Sequence, residues 1–315
     1  MGVATVVRFT SARMLRAVLP LLLSAPALAA PHYSFYDYPG AIATLFLGLN
    51  DRGVAVGFTP LNSPEISFYF DIHGHLFTPI ANIPGFDETE VWNVNDAGTT
   101  VGIAHADDYS TESAFFRDSD GNVTLLPHPG LPYSEAQGIN DAGDVVGEAW
   151  NADWSQAVGY LYRPADGSFT DFLPSPDTEV HGINNKGEVV GSVQLDAGAA
   201  YKNSPAGGYG FYRSRNGAIT FFLVDGMGPV PRSINDEGIV SGEIFEADGT
   251  IKGFVVAFDD ANCVPGTAHF RAVHTSLIVA PGQVSTLVQA VTDRGETAGV
   301  VVDASGGTHG FVATP

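Results

Sequence analysis

Three glutamates recur at one fixed distance from an asparagine: Glu90, Glu135 and Glu179 lie five residues before Asn95, Asn140 and Asn184. Two residues after each glutamate come Trp92, Gln137 and His181, and the same place in the next copy holds Arg232. Grouped carboxylates can serve as general acid and base. Two of them across a glycosidic bond hydrolyse it, with retention at a separation of about 5 Å and inversion at about 6.5–9.5 Å. They also accept hydrogen bonds from hydroxyl or ammonium groups, while a tryptophan offers a flat apolar face for a ligand ring. The set Glu90, Glu135, Glu179, Trp92, Gln137, His181 and Arg232 therefore has the makeup of a site for a neutral or cationic polar ligand, a sugar first among them. The competing reading is a solvated acidic rim.

Other chemistry is poorly supplied. Asp51, Asp96, Asp141, Asp236 and Asp293 and the stretch DSDGN at 118–122 suggest calcium, but calcium wants six to eight oxygens, usually from a longer loop with a distal bidentate acid. Turn chemistry suits these short loops better, and no metal site is expected. His73 and His75 flank a hairpin glycine, and His269 and His274 follow the single cysteine, Cys263, without the further ligands a zinc site needs. No G-x-S-x-G elbow, phosphate loop or H-E-x-x-H occurs, so neither a cofactor nor a known catalytic signature is indicated.

The elements that must position the glutamates are visible as a repeat. GLNDRGVAVGF, NVNDAGTTVGI, GINDAGDVVGE, GINNKGEVVGS, SINDEGIVSGE and a worn AVTDRGETAGV begin near residues 48, 93, 138, 182, 233 and 290. Aligned on Asn50, Asn95, Asn140, Asn184, Asn235 and Thr292, they are 45, 45, 44, 51 and 57 residues apart. A period in the forties without helical patterning predicts propeller blades. The third unit reads as four short strands, EAQGI, DVVGEAW, VGYLYR and SFTDFL, separated by turn residues.

The expected fold is all-β: a six-bladed β-propeller of four-stranded antiparallel blades filling residues 31–315 as one domain. The last unit stops after HGFVATP, one strand short, while HYSFYDYP precedes the first unit as an orphan. The N-terminal strand should complete the last blade and remove two exposed edges. The fifth unit is long, and its excess is placed at 259–269, with a later strand starting near Phe270. The strand entering each motif should be innermost, so the glutamate position and the ring Leu47, Trp92, Gln137, His181, Arg232 and Gln289 surround one mouth of the channel.

The motif, together with a following element seen as ISF at 66, SAF at 113, VGY at 158, YGF at 209, KGF at 252 and HGF at 309, resembles the bacterial extracellular repeats called HAF. The resemblance covers essentially all of 31–315. It implies a secreted propeller-like protein and no common activity. The His of the second element is kept only at His309, so no repeated histidine role carries over.

Residues 1–30 carry Arg8, Arg13 and Arg16, then AVLPLLLSAPALAA, and read as a secretory leader cleaved near Ala29 or Ala30. The apolar run is too short and Pro-broken for a membrane span. The leader contains three of the fourteen basic residues and no acid, so its removal takes the formal charge from −21 to −24. Such a field opposes nucleic acid and anionic membrane surfaces. The expectation is a secreted, extracellular or periplasmic monomer without membrane insertion, either a binding module for a polar ligand or glycan or, alternatively, a glycan-active hydrolase or lyase using rim carboxylates.

Overall fold

A computed structural model describes residues 31–60, 65–175, 178–193, 208–258, 268–273, 275 and 277–315. The expected leader, Cys263, His274 and most of the 259–269 segment lie outside the described residues. Residues 31–315 form one compact unit.

The chain enters through β1 (His32–Tyr36) and then builds six blades in order. Blade 1 is β2 (Leu45–Leu49), β3 (Val54–Phe58), β4 (Ser67–Asp71) and β5 (Leu76–Ile80). Blade 2 is β6 (Glu88–Val94), β7 (Thr100–His105), β8 (Glu112–Arg117) and β9 (Val123–Leu125). Blade 3 is β10 (Tyr133–Ile139), β11 (Val145–Trp150), β12 (Ala157–Arg163) and β13 (Ser168–Ser175). Blade 4 is β14 (Thr178–Ile183), β15 (Val189–Val193), β16 (Tyr209–Arg213) and β17 (Ile219–Val224). Blade 5 contains β18 (Pro229–Ile234), β19 (Ile239–Phe245) and β20 (Ile251–Ala257). After β21 (Ala268–Val273), blade 6 comprises β22 (Ser285–Val291), β23 (Thr297–Val302) and β24 (Thr308–Thr314). The result is a six-bladed, all-β propeller of antiparallel sheets.

The ring closes as the orphan strand predicts: β1 pairs antiparallel with β24, Phe35 opposite Phe311 and Tyr36 opposite Gly310. Blade 5 differs locally from the four-strand plan. β21, expected to follow β20 in its own blade, instead pairs in parallel with β17 of blade 4 and covers that strand's outer edge. The place beside β20 is taken by Ile278, whose N–H and carbonyl both bond Gly253, at 2.7 and 3.0 Å.

Middle strands such as β7 and β15 are buried along their whole length because each sheet is covered on both faces by its neighbours. Phe46, Phe68 and Phe70 of blade 1 pack with Ala290, Ala298 and Val312 of blade 6, and Val56 and Ile80 pack with Val91, Ala104 and Phe115 of blade 2. The innermost strands β2, β6, β10, β14, β18 and β22 touch one another in a closed circle.

Each innermost strand carries a bulge at the same place. The pairing register slips between Phe46 and Gly48, Val91 and Asn93, Ala136 and Gly138, Val180 and Gly182, Pro231 and Ser233, and Val288 and Ala290. The residues left over are Leu47, Trp92, Gln137, His181, Arg232 and Gln289. A bulge re-aims one side chain without ending the strand. It also explains the glycine closing each motif: a Cβ on Gly102 or Gly147 would collide with the carbonyl of Glu90 or Glu135 on the bulged strand.

Candidate functional site

The six bulge residues all line one cavity on the channel axis, of about 260 Å³, together with Leu45, Phe58, Glu90 and Asn93. Its walls differ. Leu45, Leu47, Phe58 and Trp92 form an apolar side, and Gln137, His181, Arg232 and Gln289 form a hydrogen-bonding side. Of the residues singled out from the sequence, Glu90, Trp92, Gln137, His181 and Arg232 come together here, whereas Glu135 and Glu179 do not reach the cavity wall. Asn93 and Phe58 escaped the sequence reading. Asn93 follows the bulge residue, and Phe58 follows the closing glycine of its motif.

On the blade 2 side, Glu90 accepts a hydrogen bond from the Trp92 indole at 2.9 Å and lies 3.3 Å from His105 Nε2, which fixes carboxylate and indole together. Burial opposes a charge on His105, but its hydrogen bonds to Glu90 and the Ala106 carbonyl and the charges of Glu90 and Glu88 outweigh it and lift the ring to about 9. His105 is therefore an imidazolium at neutral pH. Glu112, opposite it on β8, is buried with Oε1 unpartnered; burial first, then Glu135 and Glu90, push its carboxyl up to about 8. Glu65, before β4, is raised to about 7 by burial and by Glu90 and Glu88.

Glu135 meets a partner invisible in linear sequence. Glu148 stands opposite it on β11, is nearly fully buried, and hydrogen-bonds to it. Burial, followed by the charges of Glu135 and Glu179, holds Glu148 well above the ordinary carboxylate range, so it keeps its proton and donates. Burial likewise raises Glu135 to about 7. Gln137 and the Val180 N–H complete the cluster. Glu179 is half exposed, accepting from Ser192 and lying 3.6 Å from His181.

The remaining wall is electrically balanced. Arg232 donates Nε and Nη2 to Glu243 Oε1, and Gln289 donates to Glu243 Oε2. Arg232 also donates Nη1 to His181 Nε2 at 2.8 Å; a guanidinium only donates, so this nitrogen carries no proton. Burial and the Arg232 charge hold His181 well below its ordinary pKa, in accord with that neutral tautomer. Among the described residues, the carboxyl groups of this end that lack a cationic partner, Glu65, Glu112, Glu135, Glu148 and Glu179, lie on blades 1 to 4, whereas Glu243 on blade 5 is paired with Arg232. Among the described residues no group of three or more His, Cys, Asp or Glu is placed to hold a metal ion, and no helix is long and apolar enough to cross a membrane.

At the other end of the channel the motif residues form a belt. The backbone N–H of Asp51, Asp96, Asp141, Asn185, Asp236 and Asp293 each donates to the side-chain Oδ1 of the next in turn, at 2.7–2.9 Å, and Asp293 returns to Asp51. Beneath them Asn50, Asn95, Asn140, Asn184 and Asn235 donate Nδ2 to the backbone carbonyl of the following blade. The same asparagines accept backbone N–H bonds within their own turns. Turn chemistry was expected; the stapling between blades was not.

No family model matches the chain, and no curated protein matches it. Among solved structures it is similar to the luciferin-regenerating enzyme, with TM-score 0.53, 10% identity, and coverage of 91% of this chain and 96% of that one. It is also similar to TolB from Acinetobacter baumannii (TM-score 0.47, 9% identity, 86% of this chain), of which it spans about half, 54%. The β-propeller domain of the Trilobed protease from Pyrococcus furiosus gives TM-score 0.46 at 8% identity, over 83% of this chain and 80% of that one. At such identities the likeness is one of fold alone.

Proposed function

We propose that this is a secreted, monomeric propeller of the HAF-repeat kind that binds a small polar ligand with an apolar face, a sugar first among candidates, in the cavity at the channel mouth. The observation that carries this reading is the ring of six bulge residues. One position, identical in geometry in all six blades, holds six side chains of which only two are alike, and they divide into an apolar wall and a hydrogen-bonding wall around 260 Å³. A pyranose has that division, with C–H faces above and below and hydroxyls at its edge. Trp92 is pinned by Glu90, so its ring is pre-organised for stacking.

The hydrolase reading has less support. Among the described residues Glu90 is the one carboxylate on the wall of this cavity, and Glu135 and Glu148 bond each other directly rather than facing a substrate across about 5–9.5 Å. A thermal-shift screen of the secreted protein against monosaccharides, amino sugars and polar metabolites tests the binding reading. A hit that raises the melting temperature, and that Glu90→Gln weakens at least tenfold, is expected. A hit unaffected by Glu90→Gln and by Trp92→Leu would place the site elsewhere.

A further inference from the structure

The loop joining the second and third strands of a blade opens at the same face as the cavity, since β7 returns to place His105 opposite Glu88 at the start of β6. In four blades it is the same tight turn. The N–H of its fourth residue bonds back to the carbonyl of its first: Tyr109 to Ala106, Trp154 to Asn151, Gly249 to Glu246 and Gly306 to Asp303. That fourth residue is left-handed each time, with φ of 54°, 57°, 86° and 86°. Glycine adopts this conformation without penalty; a bulky aromatic rarely does. A Cβ added to Gly249 or Gly306 would meet nothing within 4 Å, so packing does not dictate the choice. Blades 2 and 3 accept a disfavoured backbone in order to carry an aromatic ring there, and observed strain of this kind points to function.

Both rings are presented rather than buried. Tyr109 is 49% exposed and Trp154 40% exposed. Each is backed on one face by another ring: Tyr109 lies 4.3 Å from His105 at 8°, and Trp154 lies 4.6 Å from Tyr133 at 16°, with Trp150 at 5.7 Å. Backing fixes the plane and leaves the other face to solvent. The ledge is continuous with the cavity. His105 touches Glu90 of the wall, and Tyr133 precedes Gln137 of the wall by four residues on β10, about 13 Å along the strand. All three tryptophans of the chain, Trp92, Trp150 and Trp154, belong to blades 2 and 3.

The neighbours of these rings select the ligand class. Asp107 and Asp108 precede Tyr109, and Asp153 precedes Trp154. Flat rings beside hydrogen-bond acceptors suit sugars, whose C–H faces stack and whose hydroxyls donate. Protein interfaces are depleted of Asp and Glu, and polyanions are repelled by a strongly acidic chain. We infer that blades 2 and 3 form an outer ledge for an uncharged oligosaccharide, one end of which enters the mouth cavity while further sugars stack on Tyr109 and Trp154. The inference rests on the cavity reading of the proposed function and extends it from a single sugar to a chain.

Calorimetric titration with cellohexaose, xylohexaose, laminarihexaose and chitohexaose, and with their monosaccharides, tests it on the parent, Trp92→Leu and the double variant Tyr109→Gly/Trp154→Gly. Glycine is the residue blades 5 and 6 use in this turn, so the double variant should fold with an equal or higher melting temperature. The expected result is a hexasaccharide bound at least tenfold more tightly than its monosaccharide by the parent, with that advantage lost in the double variant and monosaccharide binding unchanged. The ledge is overturned if the parent binds none of these hexasaccharides, if chain length brings no gain, or if the double variant binds as the parent does. It is also overturned if the rings mediate self-association that the double variant abolishes. Loss of binding in the double variant but not in Trp92→Leu would leave the ledge standing and overturn the cavity reading instead.

Discussion

The two ends of the channel are made by the same six strands, three residues apart, yet they have opposite characters. At the belt end four of the six blades contribute the same pair, Asn then Asp, the Asn side chain bonding the following blade and the Asp side chain the preceding one. The space between them is small, about 80 Å³. At the mouth end the bulge position holds Leu, Trp, Gln, His, Arg and Gln, the space is about 260 Å³, and buried carboxyl oxygens of Glu65 and Glu112 have no partner among the described residues. Uniformity closes a ring, because one hydrogen-bond geometry then repeats until it meets itself. A ligand breaks six-fold symmetry, so a recognition site needs unlike residues at like positions.

If the belt holds the ring, its loss should be the largest effect. Asn140 is buried, donates to the Asn184 carbonyl and accepts from the Asp144 N–H. Asn140→Ala leaves both groups unsatisfied and should destabilise by about 2–4 kcal/mol, measured by urea unfolding, with ligand affinity unchanged below the transition. A loss under about 0.5 kcal/mol would remove the belt from the account.

The mouth end should respond to pH. Glu112, Glu65 and Glu135 have native pKa values of about 8, 7 and 7 against an ordinary 4.5. The native state keeps protons that the unfolded chain has released, so these groups favour folding below that ordinary value and lose their advantage as pH rises through 7–8. His105, raised from 6.5 to about 9, contributes stability that is present below 6.5 and lost toward 9. Both push the same way: the melting temperature should be lower at pH 8.5 than at pH 5.5. Glu112→Gln should recover about 1–3 kcal/mol at pH 8.5 and little at pH 5.5. Equal gains at both pH values would show that its charge is not the cause.

A smaller contrast lies in the turns. Tyr109→Gly and Trp154→Gly should each change stability by about 0–1 kcal/mol toward the more stable side, relief of the left-handed backbone being partly offset by the lost ring stacking. A loss above about 2 kcal/mol in either would make the rings structural. Comparable in size is the worn link of the belt. Thr292 cannot donate across to Asn50 as the asparagines do, and Thr292→Asn should add about 0.5–1 kcal/mol in the same unfolding assay; destabilisation would mean that the sixth junction is shaped for threonine.

Much of this was legible because the repeat keeps its spacing. Six hairpins, the closure by β1 and the ring from Leu47 to Gln289 all follow from counting back from the aligned Asn. What was lost is cross-strand. Glu148 and Glu243 sit opposite Glu135 and Val230 only after the bulge shifts the register by one. The available signal was the residue after each closing glycine, which is Phe58, Ile103, Glu148, Ser192, Glu243 and Val300. The Asn staples were hidden by a sufficient local explanation: an Asx turn uses Oδ1 and leaves Nδ2 unaccounted for. β21 could not be placed, since parallel pairing to a neighbouring blade leaves no periodic trace.

We propose that the diverse end binds and the uniform end holds. Trp92→Leu tests it most directly, because it puts into blade 2 the residue that blade 1 already carries at this position, Leu47. Calorimetric titration with whichever saccharide stabilises the parent should show affinity reduced at least tenfold, with a melting temperature within about 3 °C of the parent, roughly 1 kcal/mol for a chain of this size. Undiminished affinity in a normally folded Trp92→Leu protein would contradict the account.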